Sequence, residues 1–319
     1  MVCTLFGMEG EEMKVIELYN LTKKFKDFIA VNNISLEIGP GEIYGFLGLN
    51  GAGKTTTIRM LLGMIKPTQG TVLLFGKDIR KNFDLWNNVG YMVETTHSYP
   101  NLTVRENLEV YFHLRKLTDK KLIDDVIERL KLSDYQNTKA KYLSLGNLQR
   151  LGLAKALMHE PKLLILDEPM NGLDPAGIIE IREILKELSK RGTTIFISSH
   201  ILSEIAKLGT KIGIIHKGRL IKELESEQLE QQLLKRLIID TSDNLRVIEL
   251  LKNKNILSSI NDKGVIEIYD YKAISEPEVI CGCLVNAGLP PRTLYVFEED
   301  LESFFIRTIS NEEVNVWMG

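Results

Sequence analysis

The chain has 319 residues, 44% of them apolar, with 40 Lys and Arg against 43 Asp and Glu for a net charge of −3. That is enough for one large domain and a smaller one, each with its own core, and the balanced charge excludes a general attraction to nucleic acid or anionic lipid. Three cysteines, Cys3, Cys281 and Cys283, make neither a disulfide framework nor a zinc-ligand pattern, which points to a reducing cytosol.

In chain order, residues 1–12 read as a leader. Their short apolar stretch has no basic region before it, and Glu9, Glu11 and Glu12 follow at once, so it is no secretory signal; Met8 and Met13 are alternative translation starts. No uncharged apolar run approaches the roughly 18–20 residues that span a bilayer, so a membrane role has to come through a partner.

Short strands are expected at Val15–Leu18 and Ile34–Ile38, then at Glu42–Leu47, which runs into a glycine-rich turn. The helix after that turn should end near Gly63, with a breaker-rich turn at residues 66–70 and a strand at Thr71–Phe75. From Leu102 to Leu132 the apolar residues recur at helical spacing, as in Val104, Leu108 and Tyr111 and then Leu122, Val126 and Leu130. Two strongly apolar strands, Leu163–Leu166 and Thr193–Ser198, flank a helix at about Ile178–Lys190. The pattern is α/β with a largely parallel sheet.

Around Glu223–Gln231 the composition turns to Glu and Gln, which suggests a boundary between a domain at 13–225, with a helical insert at about 95–160, and a small α+β domain at 230–319. The latter reads as a split βαββαβ order closed by a helix at about Glu299–Thr308. It carries no recognisable chemistry and is expected to support dimerisation or regulation.

Gly48-Leu49-Asn50-Gly51-Ala52-Gly53-Lys54-Thr55 fits G-x-x-x-x-G-K-[ST] between an expected strand and an expected helix, the context that a phosphate-binding loop requires. Gly48, Gly51 and Gly53 let the backbone turn so that successive N–H groups face one anion, and the helix start adds to that field. Lys54 would reach the β and γ phosphates, Thr55 would offer its hydroxyl to Mg²⁺, and Thr56 could hydrogen-bond the α-phosphate. The plainer alternative is a glycine-rich turn with an incidental lysine.

Leu163–Leu166 ends in Asp167-Glu168-Pro169, two carboxylates where a buried strand leaves the sheet, which is where phosphate sites of open α/β sheets lie. Asp167 would bind Mg²⁺ through water, and Glu168 would polarise the attacking water as general base. His200, after the next strand, falls at the same edge and suits a donor to a γ-phosphate; an ordinary surface or capping histidine is its alternative.

With these pieces in place the chain resembles an ABC transporter nucleotide-binding domain over about residues 13–223. The diagnostic run is Leu143-Ser144-Leu145-Gly146-Asn147-Leu148-Gln149-Arg150, similar to the family's LSGGQ signature followed by QR, with Leu145 in place of the first glycine and Asn147 in place of the glutamine. The resemblance implies a P-loop fold with a mainly parallel sheet plus antiparallel β and helical subdomains. It also implies a head-to-tail homodimer in which Ser144 and the Gly146 N–H touch the γ-phosphate of the partner's ATP. Ser144 reads equally well as a helix cap. Asn171-Gly172-Leu173-Asp174 resembles the D-loop, whose aspartate helps set the attacking water. Phe25 stands where an aromatic stacks on adenine, unless it is simply core.

Glu94 stands where the family's loop carries a glutamine. It would keep a contact with Mg²⁺ at the cost of added negative charge, or else be an exposed glutamate without a metal role. That glutamate, the YPNLTVRENL run, the YLSLGNLQRLGLA run and the Leu301-Glu302-x-Phe304-Phe305 ending together resemble the ATPases of bacitracin resistance and of lantibiotic or bacteriocin self-protection. The expected partners are ABC-2 permease subunits, with no nucleic acid, and the expected place is the cytoplasmic face of the membrane. Other multidrug exporters, importers and non-transport ABC-type ATPases are the competing readings.

Overall fold

The computed structural model describes residues 14–93 and 98–318, so the expected leader and Glu94 lie outside the described residues. The chain divides into two compact units, Met1–Glu227 and Gln228–Gly319.

In the first unit β1 (Ile16–Phe25) and β2 (Phe28–Ile38) form a hairpin, and β3 (Ile43–Leu47) feeds the glycine-rich loop and α1 (Lys54–Leu61). Next come β4 (Gln69–Leu74), β5 (Lys77–Asp78) and β6 (Val89–Met92), then the helices α2 (Val104–Leu114), α3 (Lys121–Arg129) and α4 (Leu145–Leu157). The unit closes with β7 (Leu163–Asp167), α5 (Pro175–Lys190), β8 (Thr194–Ser199), α6 (Leu202–Leu208) and the pair β9 (Lys211–His216) and β10 (Arg219–Glu225). One sheet is antiparallel, in the order β2-β1-β4-β5. The other has the order β10-β9-β3-β8-β7-β6, parallel throughout except for β10.

Every residue of β3 and β7 is buried, because a parallel strand covered on both faces needs apolar side chains on both. β8 lies between them, with Leu47 opposite Ser199 and Asp167 opposite Ser198. The carboxyl ends of the three strands are thereby brought side by side, and the site is built there.

Helix starts follow local chemistry. Thr103 and Glu106 make a reciprocal capping box at α2, Ser144 accepts from the Asn147 N–H at α4, and Asp174 accepts from the Gly177 N–H at α5, where Pro175 occupies the first helical position.

Several elements depart from expectation. The strand expected over Val15–Leu18 runs on to Phe25 because it is paired on both sides, by β2 and by β4. Val89–Met92, for which no strand is expected from the sequence, is a strand on the sheet edge beside β7; four residues with a glycine are too short for periodicity to reveal. Residues 223–225, at the start of the expected boundary and inside the expected 13–225 domain, belong to β10, with Leu224 buried.

The second unit contains α7 (Leu229–Gln232), β11 (Lys235–Asp240), α8 (Asn244–Asn253), β12 (Ser258–Ile260), β13 (Ile266–Ile268), α9 (Tyr271–Ser275), α10 (Pro277–Asn286), β14 (Thr293–Glu298) and α11 (Leu301–Met318). Its sheet runs β12-β13-β11-β14, with every neighbouring pair antiparallel, which is the split βαββαβ arrangement. Leu237, Ile239, Val247, Leu251, Ile268 and Leu284 form its core. The short α9 was not anticipated, and α11 continues ten residues past the expected Thr308.

Candidate active site

The loop between β3 and α1 is held by its packing. Gly48 donates to the Ser199 carbonyl (3.2 Å), and Gly218 donates to the Ala52 carbonyl (2.9 Å). At Gly53 the backbone has φ 109°, and a Cβ there would stand 2.6 Å from the Ala30 carbonyl oxygen. Only glycine accepts both that conformation and that approach.

Two linked sets of polar groups fill the end of the sheet. In the first, Lys54, only 6% exposed, donates to the Gly48 carbonyl (2.6 Å) and pairs with Glu168 Oε1 (3.1 Å), while the other oxygen of Glu168 meets His200 Nδ1 at 2.8 Å. In the second, Thr55 Oγ1 donates to Asp167 Oδ2 (2.8 Å), and the buried Ser198 Oγ donates to Asp167 Oδ1 (2.6 Å). The Glu168 N–H donates to that same Ser198 oxygen (3.0 Å). Glu168 has φ 49°, a left-handed conformation costly for a residue with a Cβ and one that surrounding bonds must hold.

Ser198 and Gln149 had been assigned no role from sequence. The signal for Ser198 was a hydroxyl at the end of an apolar strand beside the strand bearing the two acids. Gln149, on α4, donates from Nε2 to the Glu168 carbonyl (3.4 Å).

The structure therefore brings Lys54, Thr55, Asp167, Glu168 and His200 into direct contact. The remaining candidates are placed otherwise. Leu49 and Asn50 are exposed at the loop's crest beside Gly51, Ala52 is buried beneath it, and Thr56 is half-buried in the first turn of α1. Ser144 and Asp174 spend their side-chain oxygens on helix caps. Gly146 packs against the Asn171–Asp174 turn, where an added Cβ would lie 3.1 Å from the Gly172 carbonyl oxygen. Phe25 is half exposed at the tip of the β1–β2 hairpin, with the Lys23 ammonium 4.9 Å from its ring centroid; it is not a core residue.

The donor set suits a magnesium ion. Thr55 and Asp167 present one hydroxyl and one carboxylate, both hard oxygens, and Mg²⁺ characteristically takes one or two protein oxygens plus phosphate and water. Among the described residues no cluster of three His, Cys, Asp or Glu forms a self-sufficient metal cage.

A cavity of about 610 Å³, which shares no lining residue with the polar cluster at the end of the sheet, is lined by Tyr91, Tyr99, Asn107, Tyr111, Leu114 and Lys155, among others. Burial lowers the Lys155 ammonium to about 8. His159 is held down to about 4, first by burial and then by the Arg115 guanidinium. Its neutral ring donates from Nε2 to the Val89 carbonyl (3.1 Å), and its buried Nδ1 has no hydrogen-bond partner among the described residues.

A largely parallel sheet carrying a phosphate loop after β3, with paired carboxylates at the end of β7, the next strand but one, defines a P-loop nucleoside triphosphatase, and comparison with known proteins narrows it. The family model described as ABC transporter matches residues 31–171. The chain is 42% identical over 299 residues to the bacitracin transport ATP-binding protein BcrA of Enterococcus faecalis, covering 92% of this chain and 96% of that one. It is 38% identical to the lantibiotic transport ATP-binding protein SrtF of Streptococcus pyogenes, covering 68% and 95%. Among solved structures, an ATP-binding subunit of an ABC transporter aligns with TM-score 0.63 and 26% identity over 68% of this chain and 92% of that one. A dimeric cassette in a post-hydrolysis state bound to ADP and phosphate aligns with TM-score 0.60 and 25% identity over 66% and 98%. The chain belongs to the ABC transporter ATP-binding family. It is an ATPase that binds ATP, and among the described residues no helix is long and apolar enough to cross a membrane.

Proposed function

We propose that two copies of this chain close head to tail on two molecules of ATP and drive ABC-2 type permease subunits that export a peptide antibiotic, of the bacitracin or lantibiotic kind, from the cytoplasmic face of the membrane. The observation that carries the chemical part is the bonded cluster of Lys54, Glu168 and His200 beside Thr55 and Asp167. Backbone N–H groups of residues 48–55 cradle the phosphates, and Lys54 turns from Glu168 to their oxygens. Thr55 and Asp167 would hold Mg²⁺, which would supply positive charge to the phosphate oxygens when bound. Glu168 accepts the proton of the attacking water, and His200, bonded to the same carboxylate, orients it and donates to the γ-phosphate. Phe25 stacks on the base, Ser144 and the Gly146 N–H meet the partner's γ-phosphate at the start of α4, Asp174 sets the edge between the two copies, and Glu94 would add a metal contact.

The peptide-antibiotic assignment is supported by the two relatives named for bacitracin and lantibiotic transport. Cells producing Glu168→Gln in place of the natural chain should become more sensitive to members of a panel of bacteriocins and peptide antibiotics. In vitro the same variant should keep nucleotide, lose turnover by about 100-fold or more and accumulate as an ATP-bound dimer. Normal turnover would remove Glu168 as the base, and an unchanged susceptibility profile alongside lost turnover would remove the substrate class alone.

A further inference from the structure

Leu145, where the family's signature has glycine, is 55% exposed, yet its side chain is engaged. It lies over Gly172, where φ is +77° and an added Cβ would fall 2.5 Å from Leu145 Cγ. Gly146, the next residue, meets the Gly172 carbonyl oxygen and Leu173 from the same side. One turn further along α4, Gln149 bonds the carbonyl of Glu168, and the Asn171 N–H bonds that carbonyl too at 3.2 Å. The first two turns of α4 thus grip both ends of the Glu168–Leu173 segment, the segment in which Glu168 takes its left-handed backbone conformation.

We propose that Leu145 is a positioning residue for hydrolysis: by covering Gly172 it locks the turn after Glu168 to the start of α4, so that the loop meeting the partner's phosphate and the base of the same protomer move as one body. A glycine at 145 supplies no such contact, because it has no side chain to lay on the turn. The contact is apolar and touches neither Lys54 nor residues 48–55, so its loss should fall on the placement of Glu168 more than on the affinity for nucleotide. A misplacement of about 1 Å is enough to cost on the order of 100-fold in rate, and a single lost apolar contact should cost part of that. This inference rests on Glu168 being the base.

The test is a cycle of Leu145→Gly, Gly172→Ala and the double variant in the full-length chain, with Leu145→Met as the conservative control, reading kcat and KM for ATP separately. Leu145→Gly should lower kcat by about tenfold with KM within about twofold, and Leu145→Met should restore most of it. Gly172→Ala should be worse in the natural background than in Leu145→Gly, because removing the leucine makes room for the new methyl. The proposal is overturned if Leu145→Gly turns over like the natural chain, if kcat and KM change together, or if Gly172→Ala costs the same in both backgrounds. Circular dichroism of each variant separates a folding failure from lost turnover. A dead Glu168→Gln beside a fully active Leu145→Gly leaves the base in place and removes only the clamp, whereas an active Glu168→Gln removes both.

Discussion

Replacing Ser198 by alanine tests the site at its least obvious point. Ser198 is fully buried, and its one hydroxyl serves both carboxylate-bearing residues, donating to Asp167 and accepting from the Glu168 N–H. Deleting it removes a hydrogen bond to an ionised group, worth about 1.5–3 kcal/mol, and strands a backbone donor at a cost of about 1–3 kcal/mol. The two losses share one atom and do not add fully, so we expect destabilisation of about 2–4 kcal/mol. At about 2–4 °C per kcal/mol for a unit of this size, the transition of the first unit should fall by about 4–16 °C. The same change frees Glu168 to leave its strained conformation, which should lower kcat about 10-fold to 100-fold. KM for ATP should change much less, because residues 48–55 keep their own bonds. Scanning calorimetry and steady-state ATPase assays read the two effects. A transition within about a degree of the natural chain together with unchanged kcat would show that the bonded pair around Ser198 neither stabilises the sheet end nor holds the base.

Two further perturbations follow from the same geometry. Gly53→Ala forces a methyl toward the Ala30 carbonyl at φ 109° and should abolish ATP binding by displacing the loop, seen as loss of fluorescent nucleotide binding; retained affinity would contradict the close approach. His159 has a folded pKa of about 4 against about 6.5 unfolded, so the unfolded chain binds the extra proton between those values. Stability should therefore be full above about pH 6.5 and fall as pH drops toward 4; His159→Gln should flatten that part of a denaturation-versus-pH curve, and an unaltered slope would place the proton uptake elsewhere.

The amino-acid order by itself determined the local chemistry: the glycine spacing of residues 48–55, the acids closing the apolar run at Leu163–Leu166, and Ser144, which caps α4. Each is written within a few neighbouring residues and obeys rules of backbone conformation, burial and capping that need no distant partner. Signals without periodicity or composition bias were not legible there, such as β6, a four-residue edge strand, or the short α9. Only the tertiary structure decided that Ser198 serves Asp167 and Glu168 at once, that Gln149 reaches the Glu168 carbonyl and that Leu145 covers Gly172. Those contacts join segments about 20 to 30 residues apart; the register of β7 and β8 creates the first, and the packing of α4 against the Glu168–Leu173 segment creates the other two.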